Sequence, residues 1–197
     1  MIARCRAVRI DLGTGDGRAV LAAAAADPDL LVIGIDAHAA GMAESSRKAA
    51  RARQGLPNAV FVAAAAEKPP PELDGVADEL TVLFPWGSLL RGLLTADPAV
   101  LGGVARLMKP GAALDILLSV VERDGLPGLP AISGPETLSA LADSYAAHGL
   151  SVTAIRPVTP DEVAAVGSSW GKRLGAGTRR PVWRITARHT GVQEPAG

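Results

Sequence analysis

Cysteine is all but missing from this chain. Cys5 stands alone among 197 residues, which excludes an intramolecular disulfide and a cysteine-held metal cluster. Histidine is scarce as well. His38, His148 and His189 are scattered, and no His–Asp or Cys–His arrangement marks nucleophilic or acid–base chemistry. No apolar run reaches the roughly 18 residues of a membrane span. The opening MIARCRAVRIDLG has no long apolar core and no small-residue cleavage site, so no secretory leader is expected. A cytoplasmic, monomeric protein without a membrane partner is the expectation. Net charge is zero, from 20 basic and 20 acidic residues, which excludes a basic coat over the whole surface. Aromatic residues are few, and three of the six are tryptophan. Where those three stand is therefore informative.

What is present is a chain 48% hydrophobic, much of it alanine, and long enough for one real core. A single domain over 1–190 is expected, with 191–197 as a disordered tail. Strands read at 7–12, 30–36, 59–63, 79–84, 112–120, 150–158 and 181–189. Helices read at 17–26, 40–54, 97–108 and 135–149. Such alternation implies a largely parallel, doubly wound α/β sheet. The stretches 119–134 and 167–180 read as irregular.

DLGTGDG, Asp11 to Gly17, follows the first strand and opens the first helix. Glycines at 13, 15 and 17 permit a tight turn and close approach to a ligand. A nicotinamide fingerprint would place its third glycine one residue later. An acid before the loop suits a cationic ligand better than a pyrophosphate. The pattern resembles motif I of class I S-adenosylmethionine-dependent methyltransferases, with a Rossmann-like dehydrogenase or a non-binding relic as the alternatives. Asp36 at the end of strand two is placed to accept ribose hydroxyls. Ala66 and Glu67 after strand three would meet an adenine edge. LMKPGAAL (107–114) matches the punctuation before strand five in that class. In FPWG, after strand four, Pro85 makes a corner and Trp86 offers a ring face to a flat substrate. The competing reading of Trp86 is a half-buried packing residue.

VRIDLGTGDG, IGIDA, GLPNAVFVAAAAE, LFPWGSLLRG and SSWGKRL together resemble the Kam-type aminoglycoside-resistance 16S ribosomal RNA methyltransferases, from about Val8 to Arg188. The resemblance implies a Rossmann-like class I methyltransferase fold: a seven-stranded, mostly parallel sheet with an antiparallel last strand. It implies methyl transfer from S-adenosyl-L-methionine, leaving S-adenosyl-L-homocysteine, to adenine N1 in the decoding-site helix of 16S rRNA. The partner would be the 30S subunit, and the outcome aminoglycoside resistance. It makes Trp86 and Trp170, with Pro85, the candidate catalytic residues, the two indoles holding a flipped base. Trp183 is expected in the core. The cofactor wall would comprise Asp11, Gly13, Thr14, Gly15, Gly17, Asp36, Ala37, Ala66, Glu67, Phe84 and Ser88. Family members carry a longer N-terminal extension that forms a β-hairpin, which is expected to be short or missing here, with part of the cofactor-side wall or ribosome contact.

Two acid-free basic stretches are the candidate RNA contacts: Arg47, Lys48, Arg51 and Arg53, then Lys172, Arg173, Arg179 and Arg180. Either could instead be a solvated face. The functional alternatives are methylation of a small planar nitrogenous substrate, and a catalytically weak ribosome-binding homologue.

Overall fold

A computed structural model of the chain describes residues 5–129 and 131–191. Strands and helices alternate to build one seven-stranded sheet in the order β3-β2-β1-β4-β5-β7-β6. The strands are β1 (Ala7–Leu12), β2 (Leu30–Asp36), β3 (Ala59–Ala63), β4 (Ala77–Leu83), β5 (Met108–Leu118), β6 (Leu150–Pro157) and β7 (Trp183–His189). β7 runs antiparallel to both β5 and β6, and the other pairings are parallel. The expected architecture is therefore the observed one. Expected tail residues 192–197 lie outside the described residues, as do 1–4 at the start. No helix among the described residues is long and apolar enough to cross a membrane.

The alternation of side chains along the strands fills both faces. In β2, Leu31, Ile33 and Ile35 join the main core, whereas Leu30 and Val32 join a second cluster on the other face. Helices α3 (Gly87–Leu94) and α4 (Pro98–Leu107) supply Leu90, Leu93, Leu101 and Val104 to the first. Helices α1 (Arg18–Ala26) and α2 (Ala39–Ala49) supply Val20, Ala24 and Ala49 to the second. The small side chains of Ala24 and Ala49 let α1 and α2 lie close to the sheet. A third cluster joins Phe84 and Leu117 to Val163 of α7 (Pro160–Val166) and to Ala176. Trp183 is buried in the main core, as expected.

Several boundaries differ from the sequence reading. The helix expected over 40–54 ends at Ala49, because Leu56 N–H takes the Ala49 carbonyl at 2.9 Å and turns the chain toward β3. The helix expected over 135–149 is two short ones, α5 (Glu136–Ser139) and α6 (Ala142–Ala147). There the Ser139 hydroxyl bonds back to the Pro135 carbonyl at 2.9 Å, a local competitor of the helix. β5 starts at Met108 rather than 112, since Met108 pairs with Ala77 before a bulge and Lys109 Nζ reaches Asp78 at 2.7 Å.

Candidate active site

β1 and β4 are neighbours although β2 and β3 come between them in sequence, so the strand order reverses there. Parallel sheets open a crevice at the carboxyl ends of strands at such a point. This protein has a cleft of about 530 Å³ there, within the usual size range of a small-molecule site. Its floor is the end of β1, its sides the ends of β2 and β4, and its mouth carries Trp86 and Trp170.

The glycine loop turns as its sequence requires. Gly13, Gly15 and Gly17 all have positive φ. Gly17 is the N-cap of α1 and does not line the cleft. A Cβ there would stand 2.4 Å from the Phe61 ring, so its smallness serves helix–sheet packing. At Gly15 the opposite holds: nothing lies within 4 Å of a Cβ position, and its backbone faces open space. Asp36 braces the loop. Its Oδ2 accepts Gly15 N–H at 2.8 Å and its Oδ1 accepts His38 N–H at 2.7 Å. Each oxygen keeps a further lone pair.

Asp11 is 4% exposed and accepts the Thr81 hydroxyl at 3.2 Å. Burial pushes its carboxyl above the ordinary value of 3.8, against the opposing pull of Thr14, Thr81 and Arg9. The Thr14 hydroxyl lies near enough to favour the anion but forms no aligned hydrogen bond, and is a buried polar atom without a partner. Ala37, Ala66, Glu67, Phe84, Pro85 and Ser88 also line the cleft. Of the expected cofactor wall, Gly17 alone stands behind it. Asp16, Ser168 and Ser169 line it without having been foreseen; Asp16 was legible as the variable position of the glycine loop.

Phe84 adopts φ 54° with its side chain 3% exposed. A bulky residue in the left-handed region is costly, by about 1–3 kcal/mol, and such strain gathers at functional sites. Its N–H bonds to Leu117 O at 2.7 Å, and Pro85 is buried behind it. The chain thus turns sharply out of β4 and delivers Trp86 to the surface as the N-cap of α3. Sequence reading anticipated the corner but not the helix.

The stretch 167–180, expected to be irregular, contains α8 (Ser169–Leu174). Ser168 caps it by accepting Gly171 N–H at 3.2 Å, and Gly175 ends it in the left-handed conformation. A Cβ on Gly171 would lie 2.6 Å from the Phe84 ring, so α8 seats directly on the β4 corner. Among the described residues, Trp86 and Trp170 are the large hydrophobic side chains left exposed, at 43% and 38%. Their ring centroids are 6.4 Å apart and their planes meet at 64°. The Arg173 guanidinium stands 5.9 Å from the Trp170 ring centre, within cation–π range.

The basic stretches divide. Arg47, Arg51 and Arg53 are exposed, as is Lys48, which pairs with Glu44 at 2.6 Å. Lys172, Arg173 and Arg179 are also exposed. Arg180 corrects the expectation of a phosphate contact: it is 5% exposed, its Nε bonds Ser119 Oγ at 2.8 Å, and its guanidinium pairs with half-buried Asp124. Arg184 is likewise engaged, by both oxygens of Asp115 at 2.7 Å. The acids missing from the local sequence arrive from other parts of the chain. Truncating Arg180 to Ala leaves the Asp124 carboxylate, 9% exposed, with no cation and only the Val121 N–H at 3.0 Å, and a drop in stability of about 3 kcal/mol is expected. Thermal or urea unfolding checks this, and an unmoved midpoint refutes the pairing.

The model of the 16S rRNA (adenine(1408)-N(1))-methyltransferase family matches residues 1–189. This chain belongs to that family. The enzyme of that name from Streptoalloteichus hindustanus is 41% identical over 181 residues, 88% of this chain and 82% of that protein. Its namesake from Escherichia coli is 34% identical over 190 residues, 91% of this chain and 85% of that protein. Among solved structures, a mutant of the Catenulisporales acidiphilia methyltransferase with cosubstrate SAM superposes with a TM-score of 0.88. It is 36% identical and covers 99% of this chain and 91% of its own. The aminoglycoside resistance methyltransferase NpmB1 gives 0.79 at 40% identity, over 95% of this chain and 89% of its own. The Kam-type resemblance and the expected fold are both upheld.

Proposed function

We propose that this protein transfers a methyl group from S-adenosylmethionine to N1 of adenine 1408 in 16S rRNA, within the 30S subunit, and so protects the ribosome from aminoglycosides. The observation that carries this reading is the pair of exposed tryptophans brought within 6.4 Å of one another at the mouth of the cleft. A buried pair would be packing; an exposed pair is a surface for a flat ring.

The cleft suits the cofactor. Asp11, Asp16, Asp36 and Glu67 make it acidic, which favours a ligand bearing an ammonium and a sulfonium. Buried Asp11 would take the ammonium, and Asp36 the ribose hydroxyls. The open face of Gly15 and the unpartnered Thr14 hydroxyl lie between them. The cofactor supplies an electrophilic methyl. Everything else asked of the protein is placement.

N1 of a flipped adenine has a free lone pair and no proton to lose, so no general base is needed. What the chain must provide is alignment. Extruding the base costs a few kcal/mol, and stacking on two indoles at about 1–3 kcal/mol per base offsets it. The product base is cationic, and indole faces favour positive charge. The two indole planes cross at 64° with their centroids 6.4 Å apart. A base between them needs near-parallel rings about 7–8 Å apart, one contact of about 3.5–4 Å on each side, so holding a base requires the indoles to turn and to separate.

Arg173 lines the cleft against Trp170, and Lys172 and Arg179 stand exposed in the same segment. Reversing these three, or Arg47, Arg51 and Arg53, should weaken 30S binding. It should also flatten the salt dependence, by roughly 0.7–0.9 in slope for each phosphate no longer neutralised. Binding measured at several salt concentrations tests this, and unchanged slopes would mean solvated faces. The function itself is tested by methyl incorporation into isolated 30S subunits against free adenosine, followed by primer-extension mapping. Incorporation confined to adenine 1408 of 30S subunits is expected. Incorporation into free adenosine alone, or none anywhere, overturns the reading.

A further inference from the structure

Two parts of the site that lie at opposite ends of the chain are joined by one side-chain bond. The Ser169 hydroxyl of α8 donates to Asp16 Oδ2 of the glycine loop at 2.8 Å, across 153 residues. Among the described residues it is the one side-chain hydrogen bond between α8 and that loop.

Asp16 is well held from behind. Its carbonyl accepts the Ser45 hydroxyl of α2 at 2.6 Å, and its Oδ1 accepts Arg18 N–H at 3.1 Å. Arg18 Nε also lies 3.6 Å from Oδ2. The residue is a post fixed to α1 and α2, with its carboxylate at the edge of the cleft. α8 is the opposite case. At six residues it is too short to persist by helix propensity alone, and it needs its seat. That seat is the Phe84 ring beneath Gly171, the packing of Leu174 on the third cluster, and, at the Trp170 end, the bond from Ser169 to Asp16. Trp170 is the residue next to Ser169, so any tilt of α8 about Phe84 swings the indole.

We propose that Ser169 and Asp16 form a positioning pair that couples occupancy of the glycine loop to the orientation of Trp170. Cofactor and flipped base then assist one another's binding. The inference rests on the proposed reading of the cleft as cofactor site and of the tryptophans as base slot. A ligand against Gly15 orders the loop, the loop holds Ser169, and Ser169 sets its neighbour. A base stacked on Trp170 holds α8 in the same place, and by reciprocity tightens the cofactor by the same factor. Couplings of this kind span roughly 5–150-fold. One hydrogen bond to a carboxylate places this one near the low end, at about tenfold.

The test is the affinity for S-adenosylhomocysteine, which cannot donate a methyl, measured with and without saturating 30S subunits. The parent should bind it about tenfold more tightly with 30S present. In Ser169→Ala that ratio should fall close to one, and Ser169→Thr, which keeps the hydroxyl, should restore it. A melt establishes that each variant is folded. A parental ratio in Ser169→Ala, or a ratio near one in folded Ser169→Thr, overturns the pair. A parent that binds both ligands with a ratio of one overturns the coupling while sparing the function. A parent that binds neither overturns the function.

Discussion

Trp86→Ala and Trp170→Ala should each lose most methylation of 30S subunits while the fold and cofactor affinity persist. Stacking worth about 1–3 kcal/mol corresponds to a rate loss of roughly 5–150-fold at 1.36 kcal/mol per factor of ten. Phe at either position keeps a ring face and should retain more activity than Ala. Stability should hardly move. Exposed at 43% and 38%, neither indole leaves a core cavity when removed, and surface substitutions usually stay within about 0.5 kcal/mol. Trp183 is the internal control. It is 7% exposed in the main core, and its truncation should cost about 3–5 kcal/mol. Melts and 30S assays on the same variants separate the roles. A large stability loss at Trp86 or Trp170, with activity tracking only the folded fraction, would return both to packing.

Asp36→Ala should sharply weaken S-adenosylmethionine binding. The carboxylate would supply two charge-assisted hydrogen bonds to the ribose, each about 1.5–3 kcal/mol. It also braces the loop through Gly15 N–H and His38 N–H. A fall of about a hundredfold or more is expected by calorimetry, and an unchanged affinity refutes the assignment. Asp11 adds a pH dependence. Its folded-state carboxyl titrates above 3.8 because it is buried. The free fold therefore gains from the protonated form. That gain is complete below the unfolded value and lost as pH rises through the folded one. Asp11→Asn should raise the melting temperature at neutral pH and weaken the cofactor. Cofactor affinity in the parent should fall as pH drops through the raised value, since the ammonium needs the anion. An affinity flat across that range contradicts the role.

The acid-free run from Ser168 to His189 shows where sequence reading stops. It contains Arg180 and Arg184 beside Lys172 and Arg173 with nothing local to tell them apart. Asp124 and Asp115 reach the first two from elsewhere in the chain, whereas among the described residues no carboxylate pairs with Lys172 or Arg173. α3 and α8 were missed for a related reason. α3 carries two glycines, a poor helix former, in eight residues, α8 is only six residues long, and both are held by packing: Leu90 and Leu93 in the core, Gly171 on Phe84.

The order of residues was enough to specify the alternating strands and helices, the glycine loop, the carboxylates at the ends of β1 and β2, and the proline corner that carries Trp86. These features rest on periodicity and on backbone constraints that act between near neighbours. Three-dimensional packing settled the rest: which cations are captured by distant acids, that Gly17 packs while Gly15 faces the cleft, and that Trp170 stands beside Trp86. Those outcomes depend on which distant residues the strand order brings together and on what that order buries, and a charge or a ring carries no local mark of its eventual partner.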